Sequence, residues 1–247
     1  MEVLVFLHGF LGSSLDFFDL RSKLKIESLV LDFPGFGKEL PISQINFNSL
    51  NKWLDKELFK ISKNYNKIHI FSYSMGGRIL LNYLFNYKFK SKINIGNIFF
   101  EGVNFGLKTK KEKEIRLNND RLWANRFLKD ELSNSLNIWY TQGIFSSIKG
   151  EKLSDMINLR LSNDKLNLYK YILGVSLAKQ QDFYSLLKKS KLKYYYFVGE
   201  LDLKFNSLCK NWRINSIFIS NSSHNIHYDN PLELSLYINK ILFNLSE

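Results

Sequence analysis

Apolar positions along this chain follow two periods, and their alternation sets the expectation for the fold. Residues 3–7 (VLVFL) are a continuous apolar run, the pattern of a strand buried on both faces of a sheet. Residues 28–32, 67–71, 93–100, 194–198 and 216–220 carry short runs of β-formers and read as further strands. Ser13 or Ser14 can cap a helix after the first strand. Phe47, Leu50, Trp53, Leu54, Leu58 and Ile61 recur at helical spacing and predict a crossover helix. Asn230-Pro231 predicts the start of a final helix, with Asn230 as cap and proline at the first position. From about residue 105 to residue 190 the strand pattern disappears, a long gap for an alternating chain. Charged helical segments fill it, KKEKEIRLNNDRLWANRFLKDEL and then SDMINLRLSNDKLNLYKYILGVSLAKQQDFYSLL. The expectation is an α/β chain: a mostly parallel sheet, helices on both faces, and a helical lid inserted after the fourth strand. Residues 1–104 and 191–247 would make the core and 105–190 the lid.

Composition narrows the class. At 247 residues, with 45% hydrophobic and 23% charged residues, the chain fits one domain with an insertion. No apolar stretch reaches the ~18 residues a membrane span needs. The start, MEVLVFLHGF, has an acid where a signal peptide carries basic residues. A soluble, cytoplasmic protein is expected. The single cysteine, Cys209, leaves no internal disulfide and no metal cluster, and it is expected to be buried and inert. The net charge of +12 is spread over scattered lysines in an Asn-, Ile- and Phe-rich chain without a nucleic-acid motif. It reads as a field that draws in an anionic small substrate. No cofactor, metal, nucleic acid or membrane span is expected, and a monomer is, with homo-oligomers left open.

Candidate chemistry centres on KIHIFSYSMGGRILL, residues 67–81. A short apolar run breaks at Ser72-Tyr73-Ser74-Met75-Gly76-Gly77, and helix formers follow at once. This is the layout of the G-x-S-x-G nucleophile elbow, with Ser72 in place of the first glycine. Ser74 is the candidate nucleophile or base. Gly199-Glu200-Leu201-Asp202 lies just past a strand, and Ser222-Ser223-His224 follows the last one. The order Ser74, Asp202, His224 is that of the α/β-hydrolase fold. An imidazole can take a serine proton near neutral pH while a carboxylate fixes its tautomer. Main-chain N–H groups after Ser74, at Met75, and in the His8-Gly9-Phe10 loop can form an oxyanion hole. Glu101 rivals Asp202 as the acid, Asp202 can also cap the helix after it, and His227 rivals His224. His69 is expected to pack in the core, and His8 to shape its loop.

Arg78 lies four residues after Ser74 on the same helical face, with its side chain leaning toward the helix N-terminus. A cation is unwelcome at that positive end, so an anionic substrate is expected to compensate it. With these residues in hand, the chain resembles the 2-succinyl-6-hydroxy-2,4-cyclohexadiene-1-carboxylate synthases of menaquinone biosynthesis. The likeness lies in LVFLHGFLGSS, DFPGFG, YSMGGR, RLNNDRLWANRF, WYTQGIF, NLRLSND, GELDLKF and SSHNIHYDNP. It implies a triad of Ser74, Asp202 and His224, selecting His224 over His227. It also implies anion-binding Arg78, Arg116 and Arg160, and an active site lined by Phe10, Tyr73, Met75 and Trp139. Val103-Asn104 stands where relatives often have Gly-His. The implied reaction is a lyase step that eliminates pyruvate. Two rival readings are a carboxylesterase or thioesterase, favoured by lid arginines in solvent, and a non-catalytic binding protein, favoured by a Ser74–His224 pair too far apart to hydrogen bond.

Overall fold

The structure is a computed structural model that describes residues 1–88 and 93–245; the last two residues of the expected core, 246–247, lie outside the described residues. Among the described residues, six strands form one sheet in the order β2-β1-β3-β4-β5-β6. They are β1 (Glu2–Leu7), β2 (Ser28–Leu31), β3 (Lys67–Tyr73), β4 (Ile95–Glu101), β5 (Tyr194–Gly199) and β6 (Ser216–Ile219). Every ladder is parallel. The continuous run at residues 3–7 has the predicted cause. Val3, Val5 and Leu7 face one apolar layer, and Leu4 and Phe6 face the other.

Helices cover both faces. α2 (Phe47–Ser62) and α3 (Met75–Asn86) bury Leu50, Leu54, Leu58, Ile79 and Leu80 against the first face. α1 (Phe18–Arg21), α10 (Ile226–Asp229) and α11 (Pro231–Phe243) bury Leu20, Ile226, Leu234 and Ile238 against the second. The sequence also marks where helices begin. Ser13 caps the short 3-10 turn Ser14–Phe17 ahead of α1, Asn46 and Ser49 form a capping box on α2, and Asn230 with Pro231 opens α11. β2 stops at Leu31 because Asp32 turns its carboxylate back onto the N–H groups of Ser14 and Lys38.

Between β4 and β5 the described residues hold helices and no strand: α4 (Lys110–Lys129), α5 (Leu132–Tyr140), α6 (Glu151–Arg160), α7 (Lys165–Gly174) and α8 (Tyr184–Lys189). The first charged segment is essentially α4, and the second breaks into separate helices. Asp130 is extended between α4 and α5, and Asp164 caps α7 through the Asn167 N–H at 2.6 Å. The base of this block is tied by Phe183 N–H donating to Phe105 O at 2.7 Å. After β5, α9 (Leu203–Trp212) leads into β6.

The strand order reverses at β1, which has β2 on one side and β3 on the other. Ligands bind parallel sheets at such switch points, beyond the strands' carboxyl ends. The loop after β1 and the turn after β3 therefore meet there. Their approach needs Gly76, where an added Cβ would sit 2.5 Å from His8 O and 2.6 Å from Leu7 O. Gly76→Ala is expected to destabilise the fold by about 1–3 kcal/mol through this overlap. Gly143→Ala, with nothing within 4 Å of its added Cβ, should stay within about 0.5 kcal/mol of the parent. Urea unfolding of the two variants checks the contrast.

Candidate active site

Ser74 closes β3 and opens α3 with φ +47° and ψ −107°, a region that non-glycine residues seldom enter. Its N–H donates to Glu101 O at 2.9 Å, and its carbonyl accepts Arg78 N–H at 3.2 Å. Its hydroxyl does not cap its own helix, and Oγ lies 3.2 Å from His224 Nε2. The turn thus spends the main chain on holding still and leaves the side chain free. Ser72, which departs from the elbow pattern, belongs to β3 and is buried there. Its hydroxyl donates to Phe99 O at 3.3 Å.

Asp202 does both jobs the sequence allows it. Oδ1 accepts from Phe205 N at 3.1 Å and caps α9, while Oδ2 lies 2.8 Å from His224 Nδ1. With Nδ1–H donating to the carboxylate, Nε2 is left to accept the Ser74 proton. His224 N–H donates to Ile144 O at 3.0 Å, so the residue is also held from the helical block. The rival residues pair with each other. Glu101 lies 2.8 Å from His227 Nδ1, buried and away from the cavity that Ser74 faces.

The other titratable groups have quieter roles. His8 Nδ1 lies 2.7 Å from Gly9 O, and Nε2 accepts from Phe33 N at 2.9 Å. Burial pushes its pKa below the usual imidazole value, so it shapes its loop as a neutral ring. His69 is buried toward the start of β3, bonded to Glu2 and Asn97. Burial pushes the Cys209 thiol up to about 11, which leaves it a poor nucleophile.

A cavity of about 230 Å³ opens over Ser74 and His224. Phe10, Tyr73, Met75, Arg78, Arg116, Trp139 and Arg160 all line it, and Asp202 stands behind His224. Tyr73 donates its hydroxyl to Asn225 Oδ1 at 2.6 Å. The Gly9 backbone packs so closely on the Tyr73 ring that an added Cβ would lie 2.5 Å from Cε1. The β1 loop therefore sits directly against the elbow. The N–H groups of Phe10 and Met75 have no partner among the described residues, as an oxyanion site requires.

The three arginines differ in how their charge is balanced. Arg78 donates to Val175 O at 2.6 Å and pairs with no carboxylate among the described residues. Burial, and then Arg116, push its guanidinium down to about 9, so it stays a cation at neutral pH. Arg116 shares Asp120, with Nε 2.7 Å from Oδ1, while Ser176 donates to Oδ2 at 2.6 Å. Arg160 is buried against Asp16 at 2.5 Å and Tyr140 at 3.3 Å. Burial opposes its charge, but Asp16 and Tyr140 outweigh that and raise its pKa. Arg160 lines the cavity already neutralised, unlike Arg78.

Sequence reasoning passed over several lining residues. Lys204, two residues beyond Asp202, adds a further cation, its pKa lowered by burial and by Arg116. Trp123 joins Phe10 and Trp139 in an aromatic wall, with ring centroids 4.8 Å apart for Trp123–Trp139 and 5.3 Å for Phe10–Trp139. Asn104, at the Val103-Asn104 departure, also lines the cavity, and its Oδ1 accepts Gly106 N–H at 2.9 Å. Lys204 and Trp123 lie inside quoted motifs, GELDLKF and RLNNDRLWANRF. That was the available signal.

The family model described as alpha/beta hydrolase fold matches residues 2–231. A Haemophilus influenzae protein, provisionally named 2-succinyl-6-hydroxy-2,4-cyclohexadiene-1-carboxylate synthase, is 34% identical over 98% of both chains. An Enterobacter protein with that name, unqualified, is 30% identical over 97% of this chain and 91% of its own. The solved structure of MenH from S. aureus superposes with a TM-score of 0.88 at 28% identity, covering 98% of this chain and 94% of that one. A malate-bound thermophilic esterase from Thermogutta terrifontis shares the fold at a TM-score of 0.78 and 18% identity, covering 99% and 90%.

The Arg160–Asp16 pair yields a test. Removing one partner leaves a buried charge alone, at a cost of about 3–5 kcal/mol, whereas replacing both by apolar groups is often neutral. Asp16→Ala is expected to lose that much in urea unfolding, and Asp16→Leu combined with Arg160→Met to recover most of it. Equal losses in the single and double variants would show that the pair carries no such coupling.

Proposed function

The chain belongs to the alpha/beta hydrolase fold family and, within it, to the 2-succinyl-6-hydroxy-2,4-cyclohexadiene-1-carboxylate synthases, and we propose that Ser74, His224 and Asp202 carry its reaction as a proton-abstracting triad. The enzyme is a lyase of menaquinone biosynthesis. Its substrate is 2-succinyl-5-enolpyruvyl-6-hydroxy-3-cyclohexene-1-carboxylate. A base takes the ring proton at C2, and the C2=C3 bond forms. The C3=C4 pair shifts to C4=C5, and the C5–O bond breaks. The leaving enolpyruvate becomes pyruvate on protonation.

In this reading Ser74 Oγ takes the ring proton as it hands its own to His224 Nε2. Asp202 stabilises the imidazolium that results. The main-chain N–H groups of Phe10 and Met75 receive charge building on the succinyl carbonyl. No acyl-enzyme is needed. Arg78, Arg116 and Arg160 are read as the anion-binding set, with Arg78 foremost because no carboxylate among the described residues forms an ion pair with it. Their planar forks suit bidentate contacts to carboxylates. Phe10, Tyr73, Met75 and Trp139 would pack around the ring. Residues 105–190 act as the lid over a core of 1–104 and 191–247 in this proposal.

One observation carries it: the Arg78 guanidinium, which has no ion-pair partner among the described residues, opens on the same cavity as a Ser74–His224 contact of 3.2 Å. The contact speaks against a non-catalytic binding protein. Lid arginines on the cavity speak against a general esterase, because fold and triad alone do not set the reaction. The net charge of +12 would steer the anionic substrate inward. No described helix is long and apolar enough to cross a membrane, and the cytoplasm is the proposed location.

The test is pyruvate release from the enolpyruvyl substrate, run beside hydrolysis of a p-nitrophenyl ester. Fast pyruvate release with poor ester turnover is expected. Ser74→Ala should lower kcat by about 10²–10⁴-fold, the range for a positioned base, with the fold intact by circular dichroism. Arg78→Met should mainly raise KM. Ester hydrolysis without pyruvate release would replace the lyase by a conventional hydrolase.

A further inference from the structure

A second histidine–carboxylate pair lies three residues beyond the first histidine, and the reaction does not use it. Glu101 ends β4 opposite Tyr73, the residue before the nucleophile. Its main-chain oxygen accepts Ser74 N–H at 2.9 Å. Its carboxylate accepts His227 N–H at 3.1 Å and lies 2.8 and 2.9 Å from His227 Nδ1. One residue therefore grips Ser74 through its backbone and α10 through its side chain. The His227 ring is sealed between Phe17 and Tyr73, at centroid distances of 4.8 and 4.7 Å. Tyr73 closes the circuit. It bonds Asn225 at 2.6 Å and packs on the His224 ring at 5.3 Å.

We propose that Glu101 and His227 are positioning residues for His224: they fasten the segment after it to the nucleophile turn and so set the Ser74–His224 distance. This rests on the reading of Ser74 and His224 as the proton-abstracting pair. His227 does not line the cavity, so it touches no reacting atom. Its leverage is geometric. The Oγ–Nε2 distance of 3.2 Å is already at the long end of a hydrogen bond, and a misplacement of about 1 Å can cost ~10²-fold in rate.

The pair also carries a pH signature. Glu101 on β4, Asp16 on the turn before α1, Arg160 on α6 and Tyr73 on β3 face the His227 ring. Burial opposes its charge, but Glu101, with Asp16, outweighs burial and Arg160, and the pKa lies above the usual imidazole value. A raised folded-state pKa means that the stabilisation is complete below the unfolded value of about 6.5. It is lost as pH rises through the folded value.

The experiment compares His227→Gln and Glu101→Gln with the parent. Each is assayed for pyruvate release and for the deshielded proton NMR resonance of His224 Nδ1–H. His227→Gln should lower kcat about ten- to hundredfold with KM within about twofold, and shift or broaden that resonance. Its stability deficit against the parent should be largest below pH ~6.5 and shrink at higher pH. Glu101→Gln, which keeps an acceptor oxygen and removes the charge, should recover part of kcat and lose the pH dependence. It also serves if His227→Gln does not fold. A lower melting temperature with kcat and the His224 resonance unchanged would overturn the proposal. The NMR reading stands apart from turnover, so it tests the clamp even if the lyase reading fails.

Discussion

Everything at this site depends on one strained turn. Ser74 sits at φ +47°, a conformation that costs a non-glycine residue of order 1–3 kcal/mol and persists only where its surroundings over-determine it. Here they do. Parallel pairing of β3 with β4 brings Glu101 O to the Ser74 N–H, and the first turn of α3 takes its carbonyl. Gly76 lets that turn lie against the end of β1. Phe10 and Met75, from the loop after β1 and the start of α3, line the same cavity as Ser74.

Charge balance distinguishes the three arginines on this cavity. Arg160 is matched by Asp16 and Arg116 is shared with Asp120, but Arg78 meets only a backbone carbonyl. Burial disfavours the charge of a cation that no carboxylate directly pairs, and an anionic ligand relieves it. This imbalance favours carboxylate-bearing substrates, which the triad alone does not.

Much of this was legible in the sequence, for local reasons. Continuous apolar runs marked strands buried on two faces, helical spacing marked α2, and Asn230-Pro231 marked the start of α11. Ser74 to Arg78 is a single helical turn, so its geometry followed from spacing. What stayed hidden depends on contacts between distant residues. Asp16 and Arg160 are 144 positions apart, and Glu101 and His227 are 126 apart; no periodicity links either pair. The neutralised state of Arg160 was therefore unreadable, as was the partnership of the two rival residues. The break at Asp164 was missed because helical composition runs straight through it.

The two histidine–carboxylate pairs show how surroundings, not residue type, assign roles. His224 and His227 each turn Nδ1 to a buried carboxylate. What differs is the other ring edge. His224 Nε2 meets a hydroxyl on a cavity, so its proton can move to and from a substrate. The His227 ring is shut between aromatic rings and faces no cavity, so the pair has no substrate to exchange a proton with and serves to hold. Residue type and spacing alone present the two as equals, three residues apart, and only the resemblance favours His224. The sheet decides between them, because β3 delivers Ser74 to one and β4 delivers Glu101 to the other.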